Sequence, residues 1–251
     1  MDYRQKPFYY KGHKIHYFRY ENGNSPVIIC LHGLNLDGRI FATKSMRKLL
    51  ANKTILALDL PGYGKSGFWP KVNFTEIEAL ITAFANSLNL KYFELCGFCL
   101  GGIFALDYAI RNPTRVTKLY LIDTMIYLPF WLNFCSTNFF GFLYNYFSKN
   151  KFWISLLDIF PTFKGLKRIK SLALIHTVWD KQVNTFYLRL MREYQKFNHI
   201  ERSRRITCPT ELYYSEKAFR NIKKTNQKLH LAIPKSSLHL LQNNGHFSLV
   251  T

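Results

Sequence analysis

A chain of 251 residues, 48% of them hydrophobic, carries enough apolar material for one substantial core and predicts one domain with at most one large insertion. Lysine and arginine number 35 against 15 aspartates and glutamates, a formal charge of +20 that favours acidic partners such as an anionic membrane surface or an acidic carrier protein. These charges are widely spread around one short cluster, Arg202-Ser203-Arg204-Arg205, which indicates no nucleic-acid module, and five cysteines without disulfide spacing (Cys30, Cys96, Cys99, Cys135, Cys208) behind an unremarkable first segment predict a reducing, cytoplasmic setting.

Phe8 to Tyr20 reads as a hairpin turning at Lys11-Gly12, and Val27 to Leu31 is a continuous apolar run of the kind buried on both faces of a sheet. That run ends in His32-Gly33-Leu34-Asn35. Ile40 to Leu50 predicts a helix with Arg47 and Lys48 in its last turn, and Thr54 to Leu58 another buried strand. The octet Asp59-Leu60-Pro61-Gly62-Tyr63-Gly64-Lys65-Ser66 follows. It is not a phosphate-binding loop, because the first glycine of G-x-x-x-x-G-K-[ST] would have to stand at Asp59. Thr75 with Glu78 suggests a capping box for a helix whose apolar face is Ile77, Leu80, Ile81, Phe84 and Leu88.

Tyr92 to Cys96 is a strand that runs into Gly97-Phe98-Cys99-Leu100-Gly101, and a helix opens near Leu100 and closes at Asn112-Pro113. Glycine two residues either side of Cys99 suits a chain that reverses sharply from strand into helix, and such a turn lifts the central thiol towards the first free amides of the helix. A further strand ends at Ile122 and Asp123. Alternating strands and helices from Val27 to Ile122 predict a parallel sheet covered on both sides, with His32, Cys99 and Asp123 all at strand carboxyl ends, where ligands bind.

No charged residue occurs between Asp123 and Lys149, and the interval is rich in aromatics. A transmembrane helix is the rival reading, opposed by Pro129, Gly141 and the polar group Asn133, Ser136, Thr137 and Asn138, so an aromatic-rich helical lid is expected. A helix is expected over Val183 to Phe197. The chain returns to the core at Cys208-Pro209-Thr210, continues with a helix from Phe219 to Ile233 and a strand from Ser237 to Leu241, and reaches Asn244-Gly245-His246-Phe247.

With these motifs the sequence resembles the α/β-hydrolase superfamily, as a capped variant in which Cys replaces Ser of the G-x-S-x-G nucleophile elbow. The resemblance implies an α/β-hydrolase fold: a mostly parallel twisted sheet covered by helices, built from residues 1–124 and 206–251, with residues 125–205 as a helical cap inserted after the sixth strand. It implies Cys99 as nucleophile and His246 as base. It also implies backbone N–H groups of Leu34 and Leu100 as the oxyanion hole, and His32 as a structural histidine of that loop.

Two departures stand out. The family usually places an acid where this chain has Ala218, in Ser215-Glu216-Lys217-Ala218, leaving Asp123 as the favoured substitute, Glu216 as the alternative, or no acid at all. Only five residues follow His246, where the family adds a final helix. The expectation is an esterase or thioesterase acting on an apolar acyl group without metal or organic cofactor. Open alternatives are an acyltransferase using an acidic carrier and an inactive binding protein that keeps the fold. The substrate and the oligomeric state are not legible.

Overall fold

The structure, a computed structural model, describes residues 3–21, 26–69, 72–129, 133, 151–160 and 181–250. Strands β1 (Tyr3–Tyr10) and β2 (His13–Tyr20) form the expected hairpin, and its turn residues Lys11 and Gly12 have φ of 48° and 80°. Two successive left-handed residues give a turn whose twist matches that of the strands it joins. Next come β3 (Val27–Leu31), β4 (Thr54–Leu58), β5 (Phe93–Phe98), β6 (Val116–Ile122), β7 (Thr210–Ser215) and β8 (Ser236–Leu241). The sheet order is β1-β2-β4-β3-β5-β6-β7-β8, antiparallel only where β1 meets β2 and β2 meets β4. Every residue of β4 and β5 is buried, as their largely apolar sequences require, and the one charged member, Glu94, pairs with Lys53 at 2.8 Å.

Helices α1 (Lys44–Leu49), α2 (Phe74–Ser87) and α3 (Leu100–Arg111) alternate with the central strands. The single helix expected from Ile40 to Leu50 is instead a 3-10 turn, Gly38–Ala42, followed by α1. The break falls at Thr43, whose backbone is extended and whose hydroxyl accepts from the Met46 amide at 3.5 Å; a threonine that can cap its own downstream turn ends one helix and begins another. The capping box expected at Thr75 and Glu78 also lies elsewhere. Asn73 caps α2, its side chain accepting from the Glu76 amide at 2.9 Å, so Thr75 sits inside the first turn. Ile77, Leu80, Ile81 and Phe84 form the buried face of α2, and Phe84 meets the rings of Phe8 and Tyr17. Each such side chain contributes roughly 1.5–3 kcal/mol by leaving water.

Beyond β6 the described helices are α4 (Lys151–Leu157), α5 (Lys181–Tyr194), α6 (His199–Arg202) and α7 (Arg220–Ala232). Most of the charge-free interval expected to form the lid lies outside the described residues. Among the described residues, no helix is long and apolar enough to cross a membrane. Helix α5 is seated on the core: Tyr187 donates to the Pro61 carbonyl at 2.9 Å, Tyr63 donates to Asn184 Oδ1 at 3.3 Å, and both tyrosines are fully buried. The amphipathic pattern of α5 thus serves to cover the Asp59–Ser66 loop.

The tightest backbone contact joins α3 to the end of β3. A methyl group on Gly101 would collide with the Leu31 carbonyl, and one on Gly97 would collide with the Gly101 carbonyl. Gly67, by contrast, has nothing closer to such a methyl than the Lys14 carbonyl at 3.5 Å. Gly101→Ala is therefore expected to destabilise the fold by about 3 kcal/mol, towards the upper end for overpacking. Gly67→Ala should cost less than about 1 kcal/mol. Urea midpoints for the two variants test the difference, and equal shifts would contradict the packing described.

Candidate active site

The β5–α3 junction turns on one residue. Cys99 has φ 53° and ψ −110°, a conformation that a β-substituted residue adopts only when its surroundings hold it there. They do so here through the Cys99 amide, which donates to the Ile122 carbonyl at 3.0 Å, and through the glycine contacts on either side. Cys99 is 5% exposed, whereas Cys30 and Cys96, paired in register on β3 and β5, are 0% exposed. The described cysteines are all free. Burial, reinforced by Cys96, pushes the Cys30 thiol well up, so that thiol is an inert part of the core.

His246 reaches this corner from the far end of the chain. Its loop is held by a reciprocal pair of bonds, the Gly245 amide donating to Ser248 Oγ at 2.7 Å and the Ser248 hydroxyl donating back to the Gly245 carbonyl at 2.9 Å. The imidazole stacks on Phe98 with centroids 5.0 Å apart and planes 13° from parallel, and Phe219 and Phe247 meet it edge-on. Rings on several sides leave the imidazole little freedom to rotate.

Its polar contacts run two ways. Nδ1 donates to Asp123 Oδ2 at 3.0 Å, and the Cys99 sulfur lies near enough to act on the ring's protonation. Burial by itself would drive the His246 pKa down. The Cys99 sulfur, the hydrogen bond to Asp123 and the Asp123 charge outweigh burial and raise it from 6.5 to about 10.

Asp123 is wholly buried with φ 47°, and both of its oxygens are engaged. Oδ1 accepts from the Ser215 amide at 2.7 Å, and Oδ2 from the Ser215 hydroxyl at 2.8 Å as well as from His246. Ser215 was not singled out by the sequence, where nothing marks the last residue of β7 as facing the end of β6. Glu216, the alternative carboxylate, points away, and its Oε2 accepts from the Asn243 amide at 2.7 Å. Ala218 is buried.

The loop after β3 closes the site's other side. A methyl on Gly33 would lie 3.1 Å from Cys99 Cβ and from the Phe98 ring, so the backbone at Gly33 runs close beside the Cys99 side chain. Leu100, the first residue of α3, brings an amide that has no carbonyl partner within its own helix. His32 is fully buried with its pKa lowered, chiefly by burial and against the pull of Asp59. Asp59 ties the neighbouring loops together. It accepts from the Gly38 amide at 2.8 Å, from His16 Nδ1 at 2.9 Å and from the Lys65 amide at 3.0 Å, and Gly64 leaves no room for a side chain beside its carboxylate.

This strand order, an elbow after β5 and a histidine after β8 have a counterpart among known proteins. The family model described as the alpha/beta hydrolase fold matches residues 26–156, just over half of the chain. The chain belongs to the α/β-hydrolase family. Across almost its whole length the protein is similar to the uncharacterized hydrolase YugF of Bacillus subtilis (strain 168), 25% identical over 246 residues that cover 94% of this chain and 88% of the relative. A shorter match, 31% identical over 102 residues covering 41% of this chain and 38% of the relative, is to a pimeloyl-[acyl-carrier protein] methyl ester esterase of Chromobacterium violaceum. Among solved structures, the 2-hydroxy-6-oxo-6-phenylhexa-2,4-dienoate hydrolase of Rhodococcus sp. strain RHA1 superposes with a TM-score of 0.78 at 17% identity, covering 99% of this chain and 94% of that one. At that identity the likeness is one of fold.

A histidine whose pKa is raised on folding holds its proton more tightly in the native state. Its contribution to stability is complete below about 6.5 and is lost as the pH rises through about 10. Cys99→Ala removes the largest raising influence, so the His246 ring followed by NMR is expected to titrate nearer neutrality in that variant. An unchanged titration would mean that the ring does not sense the sulfur.

Proposed function

We propose that this α/β hydrolase cleaves a carboxylic ester or thioester with an apolar acyl group by covalent catalysis through Cys99, His246 and Asp123. The observation that carries the reading is the single buried imidazole that hydrogen-bonds to Asp123 and whose protonation the Cys99 sulfur raises. Residues 125–205, to which α5 belongs, form the cap over the core of residues 1–124 and 206–251. The aromatic rings around His246 support an apolar acyl group.

The chemistry follows from the geometry. His246 takes the thiol proton, and the thiolate attacks the acyl carbon. The carbonyl electrons move onto oxygen, where the N–H groups of Leu34 and Leu100 stabilise the new charge. Collapse of this intermediate breaks the bond to the leaving alcohol or thiol, which receives the proton from His246, and the acyl group stays on sulfur. Water then attacks the thioester, giving its proton to His246, and the acid leaves as Cys99 is regenerated. Asp123 fixes the ring orientation and favours the protonated imidazole at each stage. An alcohol in place of that water would give acyl transfer. The +20 charge favours an acyl donor presented on an acidic carrier or at an anionic membrane surface, and the esterase relative named for an acyl-carrier-protein substrate is consistent with the former.

Cys99→Ala is expected to lower turnover of short p-nitrophenyl esters and thioesters by at least about a thousandfold. Undiminished turnover would sink the assignment. An inactive binding protein with this fold would lack turnover in the wild-type chain as well, and its Cys99 would label with iodoacetamide no faster than an ordinary thiol at mildly acidic pH.

A further inference from the structure

We infer that His32 is a positioning residue: by donating from Nδ1 to the Gly33 carbonyl, it fixes the peptide whose other end is the Leu34 N–H. This rests on the reading of Leu34 as an oxyanion donor and extends it to the group that aims that donor.

The tautomer follows from the partners alone. His32 Nε2 lies 2.9 Å from the Leu60 amide nitrogen, and a backbone N–H can only donate, so Nε2 must be the bare, accepting nitrogen. The ring proton therefore resides on Nδ1, which lies 2.8 Å from the Gly33 carbonyl, a group that can only accept. Both bonds are made by a fully buried, neutral ring, so water does not compete for them. Tyr63 meets the ring edge-on at 5.3 Å, and Tyr63 in turn packs against Tyr187 of α5.

The consequence lies in the geometry of one amide. The Gly33 carbonyl and the Leu34 N–H belong to the same planar trans peptide and point in opposite directions. A hydrogen bond that draws the carbonyl towards His32 turns the N–H away from His32. Gly33 itself borders Cys99, as its missing side chain attests. The far end of the loop is held independently, where Asp59 accepts from the Gly38 amide. His32 and Asp59 thus clamp the segment at both ends, and of the two only His32 acts on the peptide that carries the donor.

Two substitutions separate aiming from mere support. In His32→Asn the side-chain amide can occupy the place of Nδ1 and still donate to the Gly33 carbonyl, while the acceptor for Leu60 is lost. In His32→Gln the amide reaches the place of Nε2 and can accept from Leu60, while nothing donates to Gly33. With a p-nitrophenyl ester, H32Q is expected to lose about tenfold or more in kcat with little change in KM, part of the effect of removing an oxyanion donor. H32N should recover most of that loss, and in both variants the iodoacetamide labelling rate of Cys99 should match the wild type. Equal losses in the two variants, or an unaffected H32Q, would overturn the inference.

Long-range proton–nitrogen NMR on the wild-type chain provides a readout that needs neither turnover nor a folded variant. The His32 ring is expected to carry its proton on Nδ1 with Nε2 bare, and the reverse tautomer would also overturn the inference. Absence of wild-type turnover would count against the Cys99 reading and leave the NMR result to decide the role of His32.

Discussion

The close approach of α3 to the end of β3 is the constraint on which the C-terminal edge of the sheet depends. Where Gly97 and Gly101 stand there is room only for backbone, and that lets a strand turn into a helix within one residue. The strain collected at Cys99 is the local cost of that turn, and it is offset by buried apolar residues on both faces of β5 and nearly all around α3. A more open junction would relax the backbone but would let the sulfur swing away from the ring it faces. Packing between elements distant in sequence therefore decides the orientation of one side chain.

A second layer is electrostatic. A fully buried carboxylate is tolerable only when its oxygens are satisfied, and Asp123 meets this with two bonds from Ser215 and one from His246. The same buried charge, beside the sulfur on the ring's other partner, keeps the imidazole protonated in a setting that would otherwise strip its proton. Asp59 plays the corresponding part for the loops, gathering two backbone amides and His16 around one carboxylate. Both aspartates stand directly after parallel strands, at the sheet edge where the loops converge.

Much of this was legible in the sequence because it is local. The glycines around Cys99, the largely apolar central strands and the Lys11-Gly12 turn each state a backbone requirement within a few residues, and the structure meets them. Helix starts were less legible. Asn73 and Thr75 are both competent caps, and nothing nearby says which begins the helix until Phe74 packs against Phe104 and Tyr194 inside it. The choice between Asp123 and Glu216 was harder still, because it depends on which loops meet across the edge of the sheet. Ser215 was invisible for the same reason, since its partner is 92 residues away.

The placement of Asp123 shows how a carboxylate can reach the imidazole from the end of β6 rather than from the loop after β7 without disturbing the sheet. β6 and β7 are parallel neighbours, in register from Leu119 with Thr210 to Ile122 with Tyr213, and the Asp123 amide extends the pairing by donating to the Tyr213 carbonyl at 2.8 Å. A carboxylate at the end of β6 and one in the loop after β7 therefore start about one strand spacing apart, roughly 4.8 Å. The left-handed backbone at Asp123 redirects its side chain, and Ser215 holds the carboxylate beneath the imidazole from the β7 side. With that carboxylate in place, a second one at the end of the Ser215–Ala218 turn would add a like charge to a buried site, and the methyl of Ala218 avoids that repulsion.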